Sequence, residues 1–170
     1  MIYPTATDLL RTIDATLADK VEPSLSDLSG RSALITVRHL LNFVRIRIEG
    51  EGQILQTDIE MTRHLIEQII AYHTQACDAA KGATITACLV GCASTGALPY
   101  PSLVQLADEA AGLNELLHVS LAGLQELREE RQNDAAYQDI RAAIRNHLKR
   151  QIENEGTLVA PAFFGRGPRR

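Results

Sequence analysis

Apolar residues spaced alternately three and four apart organise most of this chain. Leu34, Val37, Leu41, Val44 and Ile48 form one stripe, and Leu103, Leu106, Ala110, Leu113, Leu117, Leu124 and Leu127 form a second. That is the period at which a helix offers one face to another helix. The pattern predicts an all-α, up-down helical bundle of about five helices.

Boundaries follow from capping and breaking residues. Thr5 and Asp8, just after Pro4, have the spacing of a capping box and should open helix 1. Leu9, Ile13, Leu17 and Val21 form its inward line, and Pro23 should stop it by pushing Glu22 out of helical geometry. After a connector from Ser24 to Gly30, helix 2 is expected over Arg31 to Glu49. Gly50-Glu51-Gly52 should end or bend it, since each glycine costs about 1 kcal/mol of helix propensity. Helix 3 starts between Gln53 and Thr57, where Thr57 and Glu60 suggest another capping box. Its face of Ile59, Ile66, Ile69 and His73 runs to Ala80 and makes helices 2 and 3 an antiparallel hairpin.

From Lys81 to Pro101 the periodicity dissolves, leaving only Cys88-Leu89-Val90 as a short buried turn or helix. Ser102 and Gln105 then cap helix 4, expected to reach Arg131, with Gly112 and Gly123 read as points of close helix contact. Gln132-Asn133-Asp134 makes a turn. Helix 5 carries Tyr137, Ile140, Ile144, Leu148 and Ile152 and stops at Gly156, forming a second antiparallel hairpin with helix 4. Residues 1–156 thus read as one bundle domain and 157–170 as a C-terminal tail containing Pro, Gly and Arg.

A chain of 170 residues with 45% hydrophobic content supports one ordinary core. A net charge of -4 lacks the basic bias of a general nucleic-acid binder, so no nucleic acid is expected as a partner. Aromatic content of 4%, without Trp, argues against base-stacking platforms and sugar-binding clefts. The odd set Cys77, Cys88 and Cys92, with no signal-peptide pattern, points to a reducing cytoplasm. No apolar run approaches the roughly 18 residues needed for a membrane span.

Candidate chemistry is sparse. Arg31, Arg38 and Arg45 repeat every seven residues beside the first stripe and form a candidate partner-binding shelf for phosphates or an acidic protein. The competing reading pairs them with Glu49, Glu51, Asp58, Glu60 and Glu67 across the helix 2–helix 3 hairpin. His73, Cys77, Cys88 and Cys92 count as four soft zinc ligands but lack a zinc knuckle. They read as core residues, with no metal or cofactor expected. Glu60 and His64 lack the three-residue spacing and second copy of a di-iron bundle. Ser94, Ser102 and Ser120 lack a nucleophile elbow, and Gly91 to Gly96 lacks the Gly-Lys ending of a phosphate loop.

Arg141 and His147 resemble the signature pair of the HEPN ribonucleases, small helical dimers. The resemblance implies metal-independent RNA cleavage, with His as acid or base and Arg steadying the phosphate. On an unbroken helix, however, six residues set the side chains about 120° apart and about 9 Å along the axis. His147 also shares the stripe of Tyr137, Ile140 and Ile144, as a packed core histidine would.

Three segments carry a wider resemblance. They are Pro4-Thr5-Ala6-Thr7-Asp8-Leu9-Leu10, Val37-Arg38-His39-Leu40-Leu41 with Arg45, Arg47 and Glu49, and Arg150-Gln151 with Glu153 and Glu155 before Pro161. Together they resemble a bacterial all-helical family of unknown function, found beside or fused to aminoglycoside-phosphotransferase-like kinases and acyl-CoA dehydrogenases. That resemblance implies an accessory role near phosphotransfer or acyl-CoA metabolism and carries over no catalytic residue.

Leu40, Phe43 and Ile46 lie off the main stripe of helix 2 and require cover, and so does the tail Leu158 to Phe164 with Arg166, Arg169 and Arg170. The chain therefore reads as a non-catalytic accessory or protein-interaction module that forms a homodimer. The alternatives are a HEPN-like ribonuclease using Arg141 and His147 and a binder of small apolar ligands.

Overall fold

The computed structural model describes residues 3–76 and 79–163, with side chains through 161. Every regular element among them is helical. Helix α1, Ala6–Thr16, begins at the expected capping box: the Thr5 side chain accepts from the Asp8 amide, and the Asp8 carboxylate accepts from the Thr5 amide. It continues as a π turn, Leu17–Val21, and a 3-10 turn, Glu22–Ser24, which carries Pro23 at its start.

Helix α2, Leu28–Gln75, runs unbroken through Gly50-Glu51-Gly52, so helices 2 and 3 are one helix and the expected hairpin between them does not exist. Two features, one local and one distant in sequence, stand beside the glycines. Arg45 pairs with Glu49 just before the glycines and Arg47 with Glu51 across Gly50, so i,i+4 contacts support the helix on their N-terminal side. Gly50 is also a close approach, where a Cβ would lie 3.3 Å from Leu158 Cδ2. Thr57, expected at a helix start, instead sits mid-helix with its hydroxyl donating to the Gln53 carbonyl.

The segment read as irregular holds helix α3, Ala79–Gly91. Cys88 is exposed on it, Cys92 half-buried, and Val90 82% exposed, so the stretch expected as a short buried turn or helix is the end of a helix, mostly exposed rather than buried. Helix α4, Leu103–Glu126, starts at the Ser102/Gln105 capping box, and a single turn α5, Arg128–Arg131, completes the span expected for helix 4. Asp134 accepts from the amides of Ala136 and Tyr137 at the head of α6, Ala135–Phe163. Helix α6 passes through Gly156, so residues 157–163 belong to a helix rather than a tail. Arg166, Arg169 and Arg170 lie outside the described residues.

The chain divides into two compact units, with α2 and α6 contributing to both. The unit Gln53–Glu153 holds the core. Gly82 of α3 lies against Thr74 and Ile70 of α2, Lys81 of α3 pairs with Glu126 of α4, and Tyr137 of α6 donates to the Leu124 carbonyl. At the far end Gln151 of α6 reaches Asn114 of α4 and Asp58 of α2. Successive helices therefore run up, down, up and down. Their shared interior takes Ile59, Ile66 and Ile69 from α2, Leu106, Leu113, Leu117 and Leu124 from α4, and Tyr137, Ile140 and Ile144 from α6. Leu148 and Ile152, expected to continue that line, are exposed.

Gly112 and Gly123 of α4 make no close contact, because a Cβ at either position meets nothing within 4 Å. Gly112→Ala should therefore raise stability by about 0.5–1 kcal/mol through unfolded-chain entropy and helix propensity. Thermal denaturation checks this, and a lowered melting temperature would mean that a neighbour occupies the position.

The other unit comprises residues up to Gly52 and from Asn154 onward. Leu34 is its one buried apolar side chain among the described residues. Leu9 and Ile13 of α1, and Val37, Leu40, Val44 and Ile48 of α2, are all exposed.

Candidate functional site

One charged side chain on α4 breaks the rule that a buried face is apolar. Glu109 lies between Leu106 and Leu113 on the inward stripe and is only 1% exposed. An isolated buried carboxylate is very costly, and Arg63 of α2 offsets that cost. Its Nε and Nη2 donate to Glu109 Oε1 at 2.9 and 2.6 Å. The other carboxylate oxygen accepts from the Thr95 amide at 2.6 Å, and Arg63 Nη2 also donates to the Ala93 carbonyl at 2.8 Å. The pair thus tethers the segment between α3 and α4 from both sides. Burial pushes the Glu109 carboxyl up, but the hydrogen bonds from Thr95 and Arg63 and the attraction of Arg63 outweigh it and hold the group below its ordinary value.

Above this pair opens a pocket of about 370 Å³. Gln56, Glu60 and Arg63 of α2 line one side, and Ser94, Thr95 and Leu98 line the other.

A second polar network lies nearer the far end of the same unit. His147 Nε2 is 3.2 Å from Thr62 Oγ1 and 4.0 Å from Asp58 Oδ1, and Asp58 accepts from Gln151 at 2.9 Å. Burial pushes the His147 imidazole below its ordinary pKa, against the pull of Asp58 and with the repulsion of Arg150. His147 thus sits in the core bonded through Nε2, while its buried Nδ1 has no hydrogen-bond partner among the described residues.

The expected site residues are dispersed. Arg141 stacks over the Tyr137 ring at 5.7 Å, while His147 turns inward to Thr62. The helix is continuous between them, so the structure does not bring this pair together. Arg38 bonds Asp14 at 2.7 Å and Glu22 at 3.0 Å, Arg45 bonds Glu49 and Asn42, and Arg31 donates to the Leu25 carbonyl. These pairings replace the expected bridges across a helix 2–helix 3 hairpin, which the continuity of α2 removes. Of the soft-ligand set, His73 is buried on α2, Cys88 is exposed on α3, Cys92 is half-buried, and Cys77 lies outside the described residues. Among the described residues no group of three or more His, Cys, Asp or Glu is placed to hold a metal ion. None of the described helices is long and apolar enough to cross a membrane.

Sequence reasoning missed Arg63 and Glu109 as a pair. The signal was there in the register: Glu109 lies three residues after Leu106 and four before Leu113, in line with the buried stripe. Comparison with protein-family models, with curated proteins and with solved structures finds no match.

Proposed function

We propose that the chain is a non-catalytic interaction module that pairs with a second copy of itself through the exposed apolar face of α2. The carrying observation is that Val37, Leu40, Val44 and Ile48 share one face at steps of three and four, yet are 46, 53, 46 and 46% exposed. That spacing is the one a helix uses to pack against another helix, and Val37 and Val44 stand one heptad apart. Leu40, off the main stripe, is exposed together with Val37, Val44 and Ile48, while Leu34 of the stripe is buried and Leu41, Phe43 and Ile46 are half-buried.

A second copy is the favoured occupant because the face is self-complementary in kind. Branched aliphatic side chains meet their own counterparts across a two-fold axis. The flanking Arg45 and Arg47 are satisfied within their own helix by Glu49 and Glu51, so the seam brings no unpaired charge into the interface. In this reading Arg31, Arg38 and Arg45 frame the face rather than capture a ligand.

Sedimentation or light scattering tests the proposal. Wild type should have twice the 18.6 kDa chain mass. Val44→Glu should return it to the single-chain mass with helix content unchanged, because two carboxylates would be buried per dimer. A wild type that stays at the single-chain mass at all concentrations refutes the proposal.

A further inference from the structure

The pocket above Arg63 and Glu109 has donors and acceptors left over, and their arrangement defines a ligand. Arg63 spends its Nε and Nη2 hydrogens on Glu109 and the Ala93 carbonyl. The two N–H groups of its Nη1 have no acceptor among the described residues, and its side chain remains 27% exposed in the pocket wall. Glu60 lies three positions earlier on α2, also lines the pocket, and forms no ion pair among the described residues. Ordinarily a Glu and an Arg three apart on a helix would pair with each other. Here the buried Glu109 draws Arg63 away and leaves the Glu60 carboxylate open beside a fixed guanidinium edge.

Charge narrows the ligand class. Arg63 and Glu109 cancel, so Glu60 leaves the pocket with one uncompensated negative charge. A simple carboxylate would be attracted by Arg63 and repelled by Glu60, and a simple amine would meet the reverse. A molecule bearing an ammonium and a carboxylate a few ångströms apart satisfies both, since residues three apart on a helix have Cβ atoms about 5–6 Å apart. Ile59, Leu98 and Leu106 supply an apolar wall for the rest of it. We propose that this pocket binds a free α-amino acid with an apolar side chain, its carboxylate on Arg63 Nη1 and its ammonium on Glu60. The hydrogen bonds to Glu109 and Ala93 fix Arg63 before the ligand arrives, which removes part of the ordering cost of binding.

Titration of the full chain with leucine, N-acetyl-leucine and leucinamide, followed by the amide resonances of Thr95 and Gly96, tests the proposal. Leucine should shift both signals saturably, and loss of either ligand charge should weaken binding by about tenfold or more. Glu60→Gln changes an exposed side chain and leaves the Arg63–Glu109 pair intact. It should weaken leucine by a similar factor and leave N-acetyl-leucine unchanged or improved. The proposal is overturned if no probe saturates by about 10 mM, if the three bind alike, or if Glu60→Gln leaves leucine binding untouched.

Discussion

Arg63→Met should cost about 3–5 kcal/mol of folding stability, more than any other single charge removal in this chain, because it strands Glu109 in the core without a counter-ion. The carboxylate would keep only the Thr95 amide, and the segment between α3 and α4 would lose its anchor at the Ala93 carbonyl. The size of the effect comes from the stranded partner rather than from the net worth of the ion pair. Arg63→Met combined with Glu109→Leu should therefore recover most of the loss, since it leaves no charge to desolvate. Urea denaturation of the two single variants and the double variant measures the coupling directly. Additive losses would show that Glu109 does not depend on Arg63. Acid should act on the same point: a carboxyl whose folded pKa is depressed contributes stability above its unfolded pKa, and that contribution is lost as pH falls through the folded value.

The fold class was legible because the middle of the second stripe is buried as its spacing requires. Leu106, Leu113, Leu117 and Leu124 are each under 5% exposed, and both capping boxes that open α1 and α4 form as their spacing requires. What could not be read were competitions between local preference and distant packing. Gly50-Glu51-Gly52 looks like a break until Leu158, more than one hundred residues later, is found seated against Gly50. The α3 segment has little periodicity to detect because it buries only Gly82 and Ile85, so its helix shows as small residues rather than a stripe. At the candidate pocket Arg63 looked like one charge among many. Its role depends on Glu109, whose burial shows in the spacing of α4 but whose partner, on another helix, does not.

Leu113→Ala should be the most damaging apolar truncation and should separate the two units energetically. Leu113 is fully buried in the core of the unit formed by residues 53–153, where removing the branching carbon and its two methyl groups leaves a cavity that close-packed neighbours fill only in part. A loss of about 2–5 kcal/mol follows, visible as a lower urea midpoint at every protein concentration. Ile48→Ala removes comparable apolar volume from a side chain that is 46% exposed. In a single chain it should cost little, within about 1 kcal/mol. If α2 pairs with a second copy, the Ile48→Ala loss should instead grow with protein concentration, because mass action then adds the free energy of association to the wild-type stability. A concentration-dependent loss at Ile48 beside a concentration-independent one at Leu113 would assign the first stripe to association and the second to the core. Equal, concentration-independent losses at both positions would mean that the first stripe is buried within its own chain.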